Sequence, residues 1–207
     1  LPPELLALNV EDVEAGAANL IQHISIVKKH GVTPVVAINA FGTDHPEELE
    51  AIRRIAVEAG ALGAAVCRHH GEGGAGATEL AEMVVQACEQ PNQFRFLYDL
   101  DQPIKTKIET IAREVYGADS VRFEPQAETQ IKNYEASGFG KLPICMAKTH
   151  LSLSHDPTLK GAPSGFTLPI REVRASTGAG FIYPLCGDMM TMPGYGEHPA
   201  AENVDID

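Results

Sequence analysis

Two short stretches hold most of the residues able to meet a ligand. Asn39-Ala-Phe41, followed by Thr43-Asp44, places an amide, an aromatic face and a carboxylate close together. Arg68-His-His-Gly-Glu-Gly-Gly-Ala-Gly76 sets two imidazoles beside Gly71, Gly73, Gly74 and Gly76. Glycines let backbone approach a bound molecule closely, and a helix opening behind them favours a partly negative group. The string is not a phosphate loop, because no glycine in the chain is followed by lysine and then serine or threonine. Nor does it read as a metal site. His69 and His70 are adjacent, neighbours on a loop rarely chelate one ion together, and no Cys or acid stands at zinc-site spacing. A third polar stretch runs from Lys148-Thr-His150 to Ser154-His-Asp156. Nothing in it resembles a nucleophile elbow, and Asp156-Pro157 suits a turn cap. Lys148 and His155 are its candidates for contact with a ligand or with a further region of the protein. Arg171 and Arg174 stand three apart in a strand-like run and should face opposite ways, one of them pairing with an acid near Glu172 or in the other domain. No catalytic residue is read from these patterns.

The elements that must position these groups alternate between helical and strand patterns. Val10 to His30 reads as one helix, with Asn9 as cap, acids in its first turn and Leu20, Ile24 and Val27 on one face. Gly31 ends it. Thr33 to Ile38 is a continuous apolar run, predicting a strand covered on both faces. A helix from Asp44-Pro46 to Ala59, a strand over Ala64–Arg68 and a helix from Ala77 to about Gln90 follow. That order implies parallel strands joined by right-handed crossovers, with both candidate loops leaving the carboxyl ends of strands. Pro91-Asn92 breaks the pattern, so two small α/β subdomains are expected, 1–92 and 93–207, each a parallel-sheet layer flanked by helices. In the second, Ile104–Tyr116 and Glu128–Ser137 read as helices, Ser120–Phe123 as a strand and Ile144–Ala147 as a buried strand. Gly165–Ser176 and Phe181–Leu185 form a strand-rich tail.

Composition narrows the partners. The 207 residues carry 28 acidic and 16 basic side chains, a net charge of −12, which disfavours nucleic acid because phosphates need clustered Lys and Arg. No apolar run approaches the roughly 20 residues of a membrane span. The four scattered cysteines contain no C-x-x-C pair and read as reduced thiols of a cytoplasmic protein.

The most particular strings lie in the last third. They are Leu142-Pro-Ile-Cys-Met-Ala-Lys-Thr-His150, Ser154-His-Asp-Pro157, Arg171-Glu-Val-Arg174, Ser176-Thr-Gly-Ala-Gly-Phe181 and Thr191-Met-Pro-Gly194. With Ala37-Ile-Asn-Ala-Phe41 and Thr43-Asp44, their order and spacing resemble the C-terminal region of formate–tetrahydrofolate ligase, from about Val10 to Asp207. The resemblance implies an enzyme that uses ATP and magnesium to activate formate and join it to tetrahydrofolate, giving 10-formyltetrahydrofolate. It also implies that the two loops clamp the pterin ring. Phe41 falls on one aromatic position, and His70, where the family often carries tryptophan, falls on the other. Asn39, Asp44 and the glycines Gly71, Gly73, Gly74 and Gly76 would add contacts. Gly42 stands where the family pattern has proline, which makes this loop less rigid.

That family's ATP-binding region carries a phosphate loop of the form G-x-x-x-x-G-K-S/T, which this sequence lacks. The chain opens at Leu1-Pro-Pro-Glu without methionine and stops at Val204-Asp-Ile-Asp207. It is therefore expected to be a C-terminal fragment, inactive alone, whose partners are tetrahydrofolate, formate and an N-terminal ATP-binding region within a homo-oligomer. The rival reading is a non-catalytic folate-binding or oligomerisation module. A small nucleotide-binding protein is disfavoured, because no G-x-G-x-x-G follows the first strand.

Overall fold

The computed structural model describes residues 6–187. The helical pattern after Asn9 forms two helices rather than one, α1 (Val10–Gly16) and α2 (Ala18–Lys29), joined at Ala17. Asn9 caps α1 by accepting from the Asp12 amide at 3.1 Å, and Gly16 weakens the helix at the break. Ile24 is buried on α2, but Val27 is 37% exposed. Gly31 ends α2 with φ +76°, and a Cβ there would sit 2.2 Å from the Gln93 carbonyl oxygen, so only glycine fits.

Strand β1 (Val36–Asn39) pairs in parallel with β2 (Ala64–Cys67) through the crossover helix α3 (Pro46–Glu58). Pro46 opens α3 with Glu47 and Glu48 in its first turn, and Leu49, Ala51, Ile55 and Ala56 form its buried face. Of these, Leu49 and Ala56 close a first core with Ile24, Ile38, Ala61 and Ala64. The expectation of a strand covered on both faces fails for β1. Ile38 is buried while Ala37 and Asn39 are exposed, because among the described residues only one face of β1 is covered. Beyond β2 come a one-turn helix α4 (His69–Glu72), a 3-10 turn over Gly73–Ala77 and α5 (Thr78–Cys88).

Residues 91–99 form neither helix nor strand. They fold back on the end of α2, where the Arg95 amide donates to the His30 carbonyl at 3.0 Å. Their aromatics continue as a ladder, His30–Phe94–Phe96–Tyr98, with successive centroids 6.0, 5.6 and 6.2 Å apart. The Tyr98 hydroxyl accepts from the Ile144 amide at 2.9 Å, so the ladder links α2 to the second core.

That core packs α6 (Ile104–Glu114) and α7 (Pro125–Ala136) against β3 (Ser120–Phe123), its parallel partner β4 (Thr167–Ile170), and the antiparallel pair β5 (Glu172–Ser176) and β6 (Phe181–Leu185). Ile104, Ile108, Ile131, Leu168, Ile170, Val173 and Ile182 are buried there. The fold is α/β, with small parallel and antiparallel sheets among its helices. Among the described residues, no ladder joins β1 and β2 to the other strands. Among the described residues, no helix is long and apolar enough to cross a membrane.

Ile144–Ala147 is not the buried strand its composition predicts. It makes two isolated parallel bridges, Ile144 to Ile182 and Ala147 to Leu185, and Cys145 is exposed. The interruption has a covalent cause. Ile182 donates to the Pro143 carbonyl and Cys186 to that of Ala147, but the residue between them in the ladder is Pro184, which has no N–H to give.

Cys186 is 1% exposed, and burial pushes its thiol up from 9.0 to about 12, against the opposing charge of Lys148. Desolvation likewise raises Tyr116 to about 12. A raised acid holds its proton in the fold where the unfolded chain has lost it, so its stabilisation is complete below pH 9 and is lost as pH rises towards 12. The Cys186 contribution amounts to on the order of 4 kcal/mol at most. Denaturant unfolding between pH 8 and pH 11 is expected to show a steeper loss of stability in the wild type than in Cys186→Ala. The difference between the two isolates the thiol, because Lys107, lowered by burial, contributes the opposite slope in both.

Candidate functional site

The register Val36↔Ala64 to Asn39↔Cys67 sends both candidate loops out of the same edge of the β1–β2 sheet. The Ala40 amide donates to the Cys67 carbonyl at 3.0 Å, carrying the pairing one step further before the chains diverge. Phe41 follows at once. Its amide donates to Asp44 Oδ2 at 2.8 Å, and its carbonyl accepts from the Asp44 amide at 3.1 Å. Asp44 thus closes the turn that presents Phe41, and its carboxylate is committed in part to that task. The Phe41 side chain is 59% exposed and stacks on no aromatic ring among the described residues. Such exposure argues against the ordinary role of a phenylalanine beyond a strand, which is core packing. Asn39 is exposed at the end of β1.

The second loop is more ordered than its glycines imply. His69–Glu72 forms one helical turn, with the Gly71 and Glu72 amides donating to the Arg68 carbonyl at 3.1 and 3.0 Å. The four glycines then separate by cause. Gly76 is required by the fold, since its carbonyl accepts from the Arg68 amide at 2.9 Å and a Cβ would lie 2.7 Å from the Arg68 carbonyl carbon. Gly73 is required by its φ of +60°. At Gly71 and Gly74 a Cβ would meet nothing within 4 Å, so the described residues do not exclude a side chain there. His70 is exposed on the same turn.

Between this turn and α3 lies a cleft of about 450 Å³. Arg53, Arg68, Glu72 and Glu79 line it with Gly76, and neither Phe41 nor His70 does. Arg53 lies 3.8 Å from carboxylates of both Glu50 and Glu79. The sequence reading missed this group. Its signal was available, because Glu50 and Arg53 lie a helical turn apart beside the loop, but charges on a surface helix usually carry no ligand.

The third stretch is not drawn to this edge. Lys148 Nζ donates to the carbonyls of Thr149 (2.9 Å) and Ser152 and stands 5.0 Å over the Tyr116 ring. Burial lowers its pKa. His155 packs 6.2 Å from the Phe166 ring, with its Nδ1 buried and without a hydrogen bond. Asp156 caps its own turn, accepting from the Thr158 amide at 2.8 Å. Arg174 pairs with Glu172, the acid expected for one of the two arginines. Thr191-Met-Pro-Gly194 lies outside the described residues. All four cysteines are free. Among the described residues no three His, Cys, Asp or Glu side chains gather as metal ligands.

Residues 3–207 match the family model described as formate–tetrahydrofolate ligase. The chain belongs to that family. It is 62% identical over 207 residues to a formate–tetrahydrofolate ligase of Saccharopolyspora erythraea, covering all of this chain and 36% of that protein. To formate–tetrahydrofolate ligase 3 of Rubrobacter xylanophilus it is 57% identical over 216 residues, with 38% of that protein covered. The Herpetosiphon aurantiacus ligase is 56% identical over 207 residues, with 36% covered. The chain therefore spans little more than a third of the length of these relatives. Membership in the ligase family accounts for the strings in the last third, including Lys148-Thr-His150, which composition leaves unexplained.

Proposed function

We propose that this chain supplies the folate-binding surface of an ATP-dependent ligase that joins formate to tetrahydrofolate. One observation supports the reading most: an exposed, unstacked Phe41 and the His70 turn leave the same sheet edge on adjacent strands. A flat ring bound between them would bury aromatic surface that the chain leaves in water. Gly71 and Gly74, open on their Cβ side, would let backbone approach it, with Gly73 and Gly76 shaping the turn and Asn39 and Asp44 at the opening loop.

In the reaction formate is activated as formyl phosphate, N10 of the folate attacks its carbonyl carbon, and phosphate leaves with the C–O bonding pair and takes up the proton that N10 gives up. This chain's share is orientation, which accelerates such an attack by fixing the nucleophile rather than by moving a proton. ATP and magnesium do not fit the residues present. The sequence has no phosphate loop, and the described residues gather no metal ligands. Both are assigned to a further, N-terminal region of the ligase, and no step here runs through them. We place the complete enzyme in the cytoplasm as a homo-oligomer. Its free cysteines suit the first assignment, and the exposed Val84 and Val85 of α5 suit the second. We also divide the chain into two units, 1–92 and 93–207, a reading that the two separate core clusters support.

The test is a paired substitution in an intact ligase carrying these residues. An aromatic stack adds about 0.5–1.5 kcal/mol beyond area burial, so Phe41→Ala is expected to raise the folate KM several-fold or more and leave that for ATP unchanged. His70→Trp should preserve or tighten folate binding. An indole that weakens binding would show His70 to be a polar contact rather than a stacking platform. An unchanged KM in Phe41→Ala would remove the clamp altogether.

A further inference from the structure

A second cleft, of about 410 Å³, lies between α2 and the 148–161 segment and shares no residue with the loops after β1 and β2. Lys148, Lys160, His23 and His150 line it, together with Asn19 and Tyr116, and no acidic side chain does. In a chain of net charge −12, four basic side chains on an acid-free wall run against the overall composition.

No carboxylate pairs directly with these lysines among the described residues, although the Asp156 carboxylate lies near enough to feel the Lys160 charge. Lys148 Nζ is held by two carbonyls and the Tyr116 ring face, and Lys160 Nζ donates to the carbonyls of Leu151 (3.1 Å) and Pro157 (2.6 Å). Carbonyls orient an ammonium without neutralising it. Lys160 keeps one of its three N–H groups for a ligand. Among the described residues, neither lysine pairs with a carboxylate, and neither imidazole makes a hydrogen bond. Asp156, the acid of the same segment, spends Oδ1 on the amide and hydroxyl of Thr158.

The frame carrying these charges is already set. The buried Ser152 and Ser154 hydroxyls lie 2.9 Å apart, and Ser154 Oγ also donates to the Asp156 carbonyl at 3.1 Å. Asn19 Nδ2 donates to the Gly161 carbonyl at 2.9 Å, tying the segment to α2. A ligand binding here would pay little to order the site.

We propose that this cleft binds the phosphate group of an anionic ligand, with Lys148 as a fixed positive charge and Lys160, His23 and His150 as donors. The ammonium and imidazole groups that line it are point donors, which can each meet a separate oxygen of a tetrahedral phosphate. The site goes beyond the folate reading and stands without it.

The test is titration of the full chain with inorganic phosphate, followed by the ring-proton NMR signals of its eight histidines. A saturable shift confined to His23 and His150, absent with sodium chloride at matched ionic strength, is expected. Lys160→Gln combined with His150→Gln should weaken it about tenfold or more. Both side chains are exposed, so the fold should survive the change. Lys132→Gln, on α7 outside the cleft, should leave the response unchanged. No saturation below about 10 mM phosphate, equal shifts at all histidines, or binding that survives the double substitution would overturn the site. Tetrahydrofolate should not move these two signals, so failure of the folate reading and failure of this one are separable.

Discussion

The purified chain, given formate, ATP, magnesium and tetrahydrofolate, is expected to form no 10-formyltetrahydrofolate above a protein-free control. Phosphoryl transfer is catalysed almost entirely by positioning and charge stabilisation around the phosphates and their metal. The sequence contains no G-x-x-x-x-G-K-S/T string, and the chain spans 36% of its Saccharopolyspora relative. Formate is itself unreactive towards an amine, so losing the activation step should abolish the product rather than reduce it. Folate binding is a separate matter, and tetrahydrofolate should still bind the chain with an affinity that falls several-fold in Phe41→Ala. Product formation that co-purifies with the chain and is lost in Phe41→Ala would overturn this division of labour. Activity unaffected by that substitution would point to a host enzyme instead.

The largest expected loss of stability comes from one lysine. Lys107 on α6 is 0% exposed and occupies the buried face with Ile104, Ile108 and Ala112. Its Nζ donates to three carbonyls, those of Gly140 (2.6 Å), Leu142 (2.8 Å) and Leu100 (3.3 Å). It thereby ties the segment before α6 to the turn that precedes Ile144. Desolvation lowers its pKa, so burial of the charge is itself costly. Replacing a buried ion pair by apolar residues is often neutral, because both polar partners go. Here the acceptors are backbone and stay behind. Lys107→Met keeps most of the volume but strands three carbonyls, and a loss of about 3–5 kcal/mol is expected. In a chain of this size that lowers Tm by roughly 10 °C. Lys132→Met on α7 is the exposed control, expected within about 0.5 kcal/mol of wild type. A Lys107→Met protein as stable as wild type would mean that the carbonyls find water and the ammonium is a net burden.

Much of the framework was legible from local pattern. Ser120–Phe123 is a strand as its β-branched and aromatic residues predict, and α3 opens at Pro46. Both follow from preferences acting within a few residues. The loops bearing Phe41 and His70 were locatable for the same reason, since a strand–helix–strand order leaves few topologies and places both at one edge. Where expectation failed, the deciding partner was distant in sequence. Thr33–Ile38 reads as a doubly covered strand because its residues are apolar, yet coverage depends on what packs against each face. Ile144–Ala147 has the composition of a strand, but Pro184, some 40 residues on, withholds the N–H its ladder needs.

The sequence by itself determined the family, most of the order of elements, the two loops that leave one sheet edge and the absence of a phosphate loop, because each is a matter of residue identity and short spacing. Only the tertiary structure decided what Lys107 and Lys148 do. In its loop Lys148 reads only as a candidate contact, and on a helix a lysine such as Lys107 reads as solvated. Its role depends on carbonyls such as those of Leu100, Gly140 and Leu142, which carry no side-chain signature and become a binding set only when the chain brings them to one point.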